Sequence, residues 1–433
     1  MLAIADTSTI IIIEFVLKKT SLTKGNKRDG KPAAPASAVD NTAARLFLSD
    51  NLLRRTAGFL YAFDIAPIAL ALSQALGLRI ANAIDMQCAG PKTRAPLATV
   101  KQAVGDLHHV YDDNINTAFR NDTISASQPA WKLTTLLALR AWIAHYVSQL
   151  SSMEDRLAQV PPVDTFRLSD EALEFLSKSS KDSYQLEQKK PTEVTRKFTT
   201  SVDHQNHQIR AQPDRYQYKL RKGQQQRALI DIGEGRGRGF TVNGQVAKSQ
   251  GRAAQLATTT NLSLADKIIG TIKIIGRDDP TQAETQRAQK VLEILQGLIN
   301  LEHENPWVQL IFYSSPKDDF QWPPSWTEEM KDAVPVKFRA DRVSRPLNSS
   351  QTKAVKQMLQ QLDDKRVTII QGPPGTGKTT VIASFVQTAI AGGLSGIWLV
   401  AQSNVAVKNI AEKLADFGLT KWKLLVSKEF FEY

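Results

Sequence analysis

Short apolar runs and helical stripes alternate along this chain, and each predicts an element. The run Ile10–Ile13, followed by Phe15 and Val16, is short and β-branched, so the pattern predicts a buried strand. Residues 18–38 concentrate Lys, Gly, Ser and Pro, the composition of an exposed loop. Ile68, Leu72, Ala75 and Leu76 share one face of a helix over 68–76, with Gly77 as its C′ stop. A second stripe over 136–150 carries Leu136, Leu139, Ile143, Val147 and Leu150. Both stripes read as core packing. Ile268–Ile275 reads as a strand, and Asp279-Pro280 as the N-cap and N1 of the helix after it. Trp307, Trp322 and Trp326, set among prolines, mark a loop-rich connector. No internal repeat is present.

Composition narrows the class. The 433 residues suggest two to four domains at about 150 residues each. The hydrophobic fraction of 42% and charged fraction of 23% are those of a globular protein, not a disordered one. A lone cysteine, Cys88, excludes a disulfide framework and a cysteine zinc site and fits a reducing interior, cytoplasmic or nuclear. No apolar run approaches the ~20 residues that span a bilayer, and no basic segment precedes Ile10–Ile13, so neither a membrane span nor a signal peptide is expected. The six histidines give no ligand spacing; His108-His109 are adjacent, and His204 and His207 lie in a polar block.

Charge is unevenly placed. The net +12 is made mostly between Lys181 and Arg252, where 15 Lys and Arg face 7 Asp and Glu. Within this block, residues 233–240 alternate glycine with Arg236 and Arg238, which predicts a mobile basic loop. A solvated charged surface is the first reading of such a run, and a polyanion-binding surface the second.

The sharpest signal is Gly372-Pro373-Pro374-Gly375-Thr376-Gly377-Lys378-Thr379, a full G-x-x-x-x-G-K-[ST] loop with Thr380 next. A β-branched run at 367–370, expected as a buried parallel strand, precedes it. Behind it Ile382, Phe385, Val386, Ala389 and Ile390 recur at helical spacing. Glycines let backbone N–H groups approach phosphate oxygens, and the helix N-terminus adds a favourable field. Lys378 supplies a point charge for β- and γ-phosphates, and the Thr379 hydroxyl a ligand for Mg²⁺. The loop therefore reads as a site for a nucleoside triphosphate with Mg²⁺.

The neighbouring residues choose a class. Leu347-Asn348-Ser349-Ser350-Gln351 lies upstream, with Ala354, Val355, Met358 and Leu359 on one helical face. Downstream come Gly396-Ile397-Trp398-Leu399-Val400 and then Ala401-Gln402-Ser403-Asn404. In this order the segment 345–433 resembles superfamily 1 helicases of the nonsense-mediated-decay type. The resemblance implies ATP-driven unwinding of RNA or DNA, Gln351 as reader of the adenine edge, and Gln402, Ser403 and Asn404 as contacts to the nucleic-acid backbone. Gln402 stands where that family usually has Pro. Each feature has a plainer reading too. Asn348 with Gln351 fits a capping box, and Ser403-Asn404 fits the cap of a helix over 405–416 whose buried stripe is Val407, Ile410, Ala411 and Leu414.

Only 54 residues follow Thr379, with no carboxylate pair on an apolar strand, so the sequence suggests a truncated motor. Further upstream, Gly58 to Asp64 and Ala83 to Gln87 resemble the middle of DEDD-type 3′–5′ exonucleases, with an RNase H-like fold implied. There Asp64 matches a metal-binding carboxylate and Asp85 a structural aspartate, while Arg140 stands at an expected aspartate position. Asp64 fits equally well as a helix N-cap before Ile65-Ala66-Pro67. The expected organisation is α/β: a partial RNase H-like domain at 1–160, a basic and partly flexible region at 161–253, a mixed connector at 254–344, and an incomplete RecA-like P-loop NTPase domain at 345–433. A non-enzymatic nucleic-acid-binding scaffold is the alternative function. Oligomeric state is not indicated by any of these patterns.

Overall fold

The computed structural model describes residues 2–14, 42–54, 56–91, 94–105, 111–119, 129–191, 193–196, 198–203, 208–212, 227–233, 240–250, 253–258, 268–275, 280–301, 305–312, 321–332, 336–338, 346–360, 362 and 365–425. The expected loop at 18–38, Phe15, Val16, Asp279 and the histidines at 108, 109, 204 and 207 lie outside these residues. The chain divides into two compact units, Met1–Lys189 with Pro280–Asp318, and Lys190–Asp279 with Asp319–Tyr433. Among the described residues no helix is long and apolar enough to cross a membrane.

In the first unit the order is β1 (Leu2–Ala5), β2 (Ile10–Ile13), α1 (Thr42–Leu48), β3 (Leu60–Ala62), α2 (Ile65–Leu76), β4 (Ala83–Asp85), α3 (Pro96–Val104), α4 (Asp112–Phe119), α5 (Ala130–Ser148), α6 (Ser151–Ala158), α7 (Asp170–Lys189), α8 (Gln282–Leu295) and α9 (Pro306–Phe312). The isoleucine run is a strand, but not a buried one. It closes an antiparallel hairpin with β1, and Ile10 and Ile11 stay exposed. The hairpin turn is locked by Asp6, whose carboxylate accepts from the N–H groups of Ser8 and Thr9, both at 2.8 Å.

β3 and β4 pair in parallel, Leu60 with Ala83 and Ala62 with Asp85. A parallel pair needs a crossover, and α2 supplies it. The helix expected from Ile68 starts three residues earlier and stops where Gly77 takes φ 63°. Its buried Ile65, Ala69 and Leu70 pack with Leu173 and Leu176 of α7 and Leu292 and Leu295 of α8. α8 thus belongs to the core of this unit, although about 90 residues of the other unit separate it from α7. It starts at Gln282, not at Asp279-Pro280, because Thr281 and Glu284 form a reciprocal capping box two residues further on. A second core joins Phe63, Ile84 and Met86 to Ile143 and Val147 of α5 and Met153 and Leu157 of α6. The stripe on α5 is as expected except at Leu139, which is exposed.

The second unit holds β5 (Glu193–Arg196), β6 (Thr199–Asp203), β7 (Gln208–Gln212), β8 (Arg227–Gly233), β9 (Phe240–Gln250), β10 (Ala253–Thr258) and β11 (Ile268–Ile275), then α10 (Pro324–Asp332), α11 (Ser349–Met358), α12 (Lys378–Ala391) and α13 (Asn404–Asp416). Beyond α7, the described residues of the basic block fall mostly in strands β5 to β9 of one sheet. Residues 234–239 lie outside the described residues, between the paired strands β8 and β9.

The strand order is β5-β11-β8-β9-β10-β7-β6, and every pairing is antiparallel. The two outermost strands, β5 and β6, are consecutive in sequence with only two residues between them. Three Cα steps reach at most about 11 Å, so the sheet must roll far enough to bring the end of β5 near the start of β6. Register shifts at Gln255/Leu256 and Ile269/Thr271 supply the local bends. The rolled sheet encloses Ile209, Ile230, Leu256 and Ile272, each fully buried. Charge outside and aliphatic residues inside explain how a basic block still folds.

Tryptophans of the expected loop-rich connector fall in or beside helices: Trp307 in α9, Trp326 in α10, and Trp322 just before it.

Candidate functional site

α12 is sandwiched between two helices. Val381 and Ala389 face Val355 and Leu359 of α11, while Ala383 and Val386 face Leu414 and Phe417 at the end of α13. Ile390, assigned to the same stripe by the sequence, is exposed. The segments at 367–371 and 397–400 are not strands here. Each alternates strictly: Ile370, Ile397 and Leu399 pack on the helices, whereas Ile369, Trp398 and Val400 are 88%, 77% and 86% exposed. The expected strand at 367–370 has the right period but, among the described residues, no strand to pair with.

Between the first of these segments and α12 lies the glycine loop. Gly375 and Gly377 take φ of +82° and +81°, the left-handed region that favours glycine. A Cβ on Gly372 would sit 2.7 Å from Thr376 Oγ1, so the turn closes too tightly for a side chain there. Thr376 Oγ1 donates to the Pro373 carbonyl at 2.8 Å. Lys378 opens α12 and folds back, its Nζ donating to the carbonyls of Gly372 at 2.6 Å and Pro373 at 2.9 Å. Pro374 is exposed on the loop, and Thr379 and Thr380 occupy the first turn of α12, half-buried.

This cradle fits a triphosphate. A cation and a helix N-terminus converge on a loop whose residues, Gly372 to Thr380, include no acidic side chain. For Mg²⁺ the Thr379 hydroxyl is the suitable donor in the loop; among the described residues no cluster of three or more His, Cys, Asp or Glu could hold a metal.

Gln351 is brought to the loop. Its Nε2 donates to the Thr376 carbonyl at 3.1 Å, while its Oε1 accepts from Asn348 N at 3.1 Å and its N–H donates to Asn348 Oδ1 at 2.8 Å. The capping box and the link to the loop thus coexist. Ser403 caps α13, accepting from Ala406 N at 3.2 Å, with Gln402 exposed before it and Asn404 as the first helical residue. Among the described hydrogen bonds none joins Gln402 or Ser403 to the loop.

One anchor of the segment before the loop escaped the sequence reading. Arg366, which leads into the loop segment, donates from Nη2 to the Trp326 carbonyl at 2.6 Å. Its guanidinium lies 5.0 Å from the ring centroid of Trp322 and 5.7 Å from that of Trp326, and the two rings stack 5.9 Å apart. Spacing could not have revealed it, because the partners are 40 residues apart.

The carboxylates at the carboxyl ends of β3 and β4 form a second polar cluster. Asp85 is fully buried; it accepts from Gln87 N at 3.0 Å and meets Arg94 Nη2 at 3.2 Å. Burial pushes its carboxyl up, against the pull of Arg94 and of the N–H groups of Gln87, Asp64 and Ile65. Asp64 holds the N-cap position of α2 in a left-handed conformation (φ 55°), yet its side chain makes no cap bond. The N–H groups of Asp64 itself and of Ile65 face Asp85 instead. More than a third of the Asp64 surface still meets solvent, but burial of its carboxyl and the neighbouring Asp85 push it from an ordinary 3.8 to about 6, with Arg94 and Arg140 opposing. Arg140 donates from Nε to the Ala118 carbonyl and lies over Phe119. Two carboxylates flanked by two guanidiniums do not fit a pair of divalent cations, because the arginines already supply the positive charge.

Comparison with known proteins falls on the nucleotide segment. Residues 346–427 match the family model of an AAA domain. The chain is 47% identical over 90 residues to the regulator of nonsense transcripts 1 homolog of Arabidopsis thaliana, covering 21% of this chain and 7% of that protein. It is 47% identical over 73 residues to the ATP-dependent helicase NAM7 of Saccharomyces cerevisiae (17% and 7%) and 49% over 69 residues to the DNA-binding protein SMUBP-2 of Mesocricetus auratus (16% and 7%). The chain thus spans less than a tenth of the length of these curated relatives. Over this segment it is homologous to superfamily 1 helicases.

Proposed function

We propose that this segment, homologous to superfamily 1 helicases, binds ATP with Mg²⁺, and that in the complete protein hydrolysis there drives movement on RNA or DNA in the cytoplasm or nucleus. The loop geometry carries the reading: two left-handed glycines set the turn at the N-terminus of α12, with Lys378 Nζ folded over it. On binding, Lys378 exchanges two carbonyl acceptors for β- and γ-phosphate oxygens, a stronger charge-assisted pairing. Thr379 would hold Mg²⁺, whose charge would offset that of the phosphates. Gln351, which reaches the loop from α11, reads the adenine edge. Gln402, Ser403 and Asn404, at the N-terminus of α13, meet the nucleic-acid backbone, helped by the same helix field. The test is titration of ATP into the chain and its Lys378→Ala variant. Loss of binding by two orders of magnitude or more is expected, and equal binding by both would sink the assignment.

A second reading, a nucleic-acid-binding scaffold, is favoured by the rolled sheet. Ser201, Arg210, Gln255 and Lys248 lie opposite one another across β6, β7, β10 and β9, all exposed. Two strand spacings set Arg210 and Lys248 about 10 Å apart. This face predicts RNA binding that weakens steeply with salt and survives Lys378→Ala, but is reduced in the double variant Arg210→Ala, Lys248→Ala. For the first unit, an exonuclease-like scaffold without metal chemistry is consistent with Arg94 and Arg140 beside Asp64.

A further inference from the structure

The two faces of α11 meet different surroundings. Val355 and Leu359 are buried against α12, and Gln351 on the same side reaches the phosphate loop. The opposite face carries Ser349, Lys353, Lys356 and Gln360, spaced three or four residues apart and all exposed. They line a groove of about 730 Å³, which Thr352 and Lys365 also line. Its described lining holds three ammonium groups, no carboxylate and no aromatic ring.

Charge of one sign sets this helix apart from its neighbours. On α13, Lys408 pairs with Glu412 and Lys413 with Asp416, and on α8 Lys290 pairs with Glu293. α11 contains no acidic residue, and among the described residues no ion pair involves Lys353 or Lys356. The helix dipole accounts for Lys356 in the last turn, but not for Lys353 at mid-helix. The surrounding sequence is basic too: residues 337–366 hold eight Lys and Arg against three Asp. Of these, residues 339–345, Asp363 and Asp364 lie outside the described residues.

We propose that this outer face of α11 binds the phosphodiester backbone of a nucleic acid without reading its bases. Lysine amines are point charges suited to phosphate oxygens, and the hydroxyl and amide groups beside them serve phosphate and sugar. Bases are read at their edges or by stacking on rings, and the described lining offers no ring. An acidic peptide fits less well, because carboxylates are gripped best by the arginine fork and the described lining has no arginine. The helix is about 15 Å long, room for several nucleotides. Binding here rests on the nucleic-acid part of the function proposed above and is independent of the triphosphate site.

Fluorescence anisotropy of labelled oligo(U) and oligo(A), titrated with the full chain and its double variant Lys353→Ala, Lys356→Ala, tests the site. Losing two phosphate contacts should weaken both oligonucleotides alike, about 10- to 30-fold near 0.1 M salt, and flatten the slope of log K against log salt by about 1.4. The pair Lys353→Arg, Lys356→Arg keeps the charge and should bind like the parent; a loss as large as that of the alanine pair overturns the proposal. Equal binding by the parent and the alanine pair also overturns it, while leaving the nucleic-acid reading of the chain in place. No binding by the parent removes both. A loss confined to one of the two oligonucleotides means that bases are read and overturns the backbone assignment. Displacement of oligo(U) from the parent by polyglutamate would assign the face to an acidic partner instead.

Discussion

Two helices in this protein begin just after an apolar extended segment, and their N-termini are filled differently. At α2 the chain supplies its own anion: Asp85, buried and paired with Arg94, faces the N–H groups of Asp64 and Ile65. At α12 the preceding residues are glycine, proline and threonine, and the charged group over the turn is a cation, Lys378. A helix N-terminus attracts negative charge in either case. A resident carboxylate uses that attraction to hold the fold together, whereas a glycine loop beneath a lysine leaves it for a ligand. The same backbone device serves structure in one unit and, in the function proposed above, triphosphate binding in the other.

Several substitutions press on this contrast. The largest effect is expected from Lys378→Ala, which removes triphosphate binding while leaving the melting temperature almost unchanged. Asp85→Ala should do the reverse, because it strands Arg94 and uncaps α2. Denaturant unfolding is expected to show a loss of about 2–4 kcal/mol in the first unit, and a smaller loss than 1 kcal/mol would mean that Asp85 does not fill this helix end. Asp64 tests the same cluster through pH. Its carboxyl titrates near 6 when folded and near 3.8 otherwise, so the folded state holds the extra proton between these values. Stability therefore falls as pH rises from about 4 to about 6. Asp64→Asn should match the parent below pH 4 and melt higher above pH 6; parallel melting curves for the two proteins across that window would refute the coupling. At α13, Ser403→Ala removes a cap and should cost about 1 kcal/mol. The smallest effect is expected at the strand side. β3 is paired with β4, but Ile369 stands 88% exposed, so Ile369→Ser should change stability by less than about 0.5 kcal/mol. A loss of 2 kcal/mol or more on unfolding would show that this face is covered in solution.

Much of the nucleotide site was legible because it is local. The loop, its glycines, Lys378 and the helix behind it occupy one contiguous stretch, and backbone geometry there follows from residue type alone. Both plainer readings, the capping box at Asn348 and the cap at Ser403, were also legible, since each spans four residues and both are observed. What failed depended on partners distant in sequence. The isoleucine strand was expected to be buried, yet burial is set by what packs on it. The run at 367–370 was expected in a sheet, yet a strand exists only where another strand pairs with it.

The sequence by itself determined the phosphate loop, the periodicity of the helices, the isoleucine strand and Ile268–Ile275. Only the tertiary structure decided that the strands of the basic block join β10 and β11 in one rolled sheet, that α8 returns to the core of α2 and α7, and that Asp85 rather than Asp64 faces the N–H groups at the start of α2. It also decided that Gln351 reaches the Thr376 carbonyl and that Arg366 packs against a stacked pair of tryptophans. Local chemistry is written in neighbouring residues and can be read there. Pairing, burial and the sharing of a proton or a hydrogen bond belong to groups brought together by folding, and no spacing along the chain encodes which groups those are.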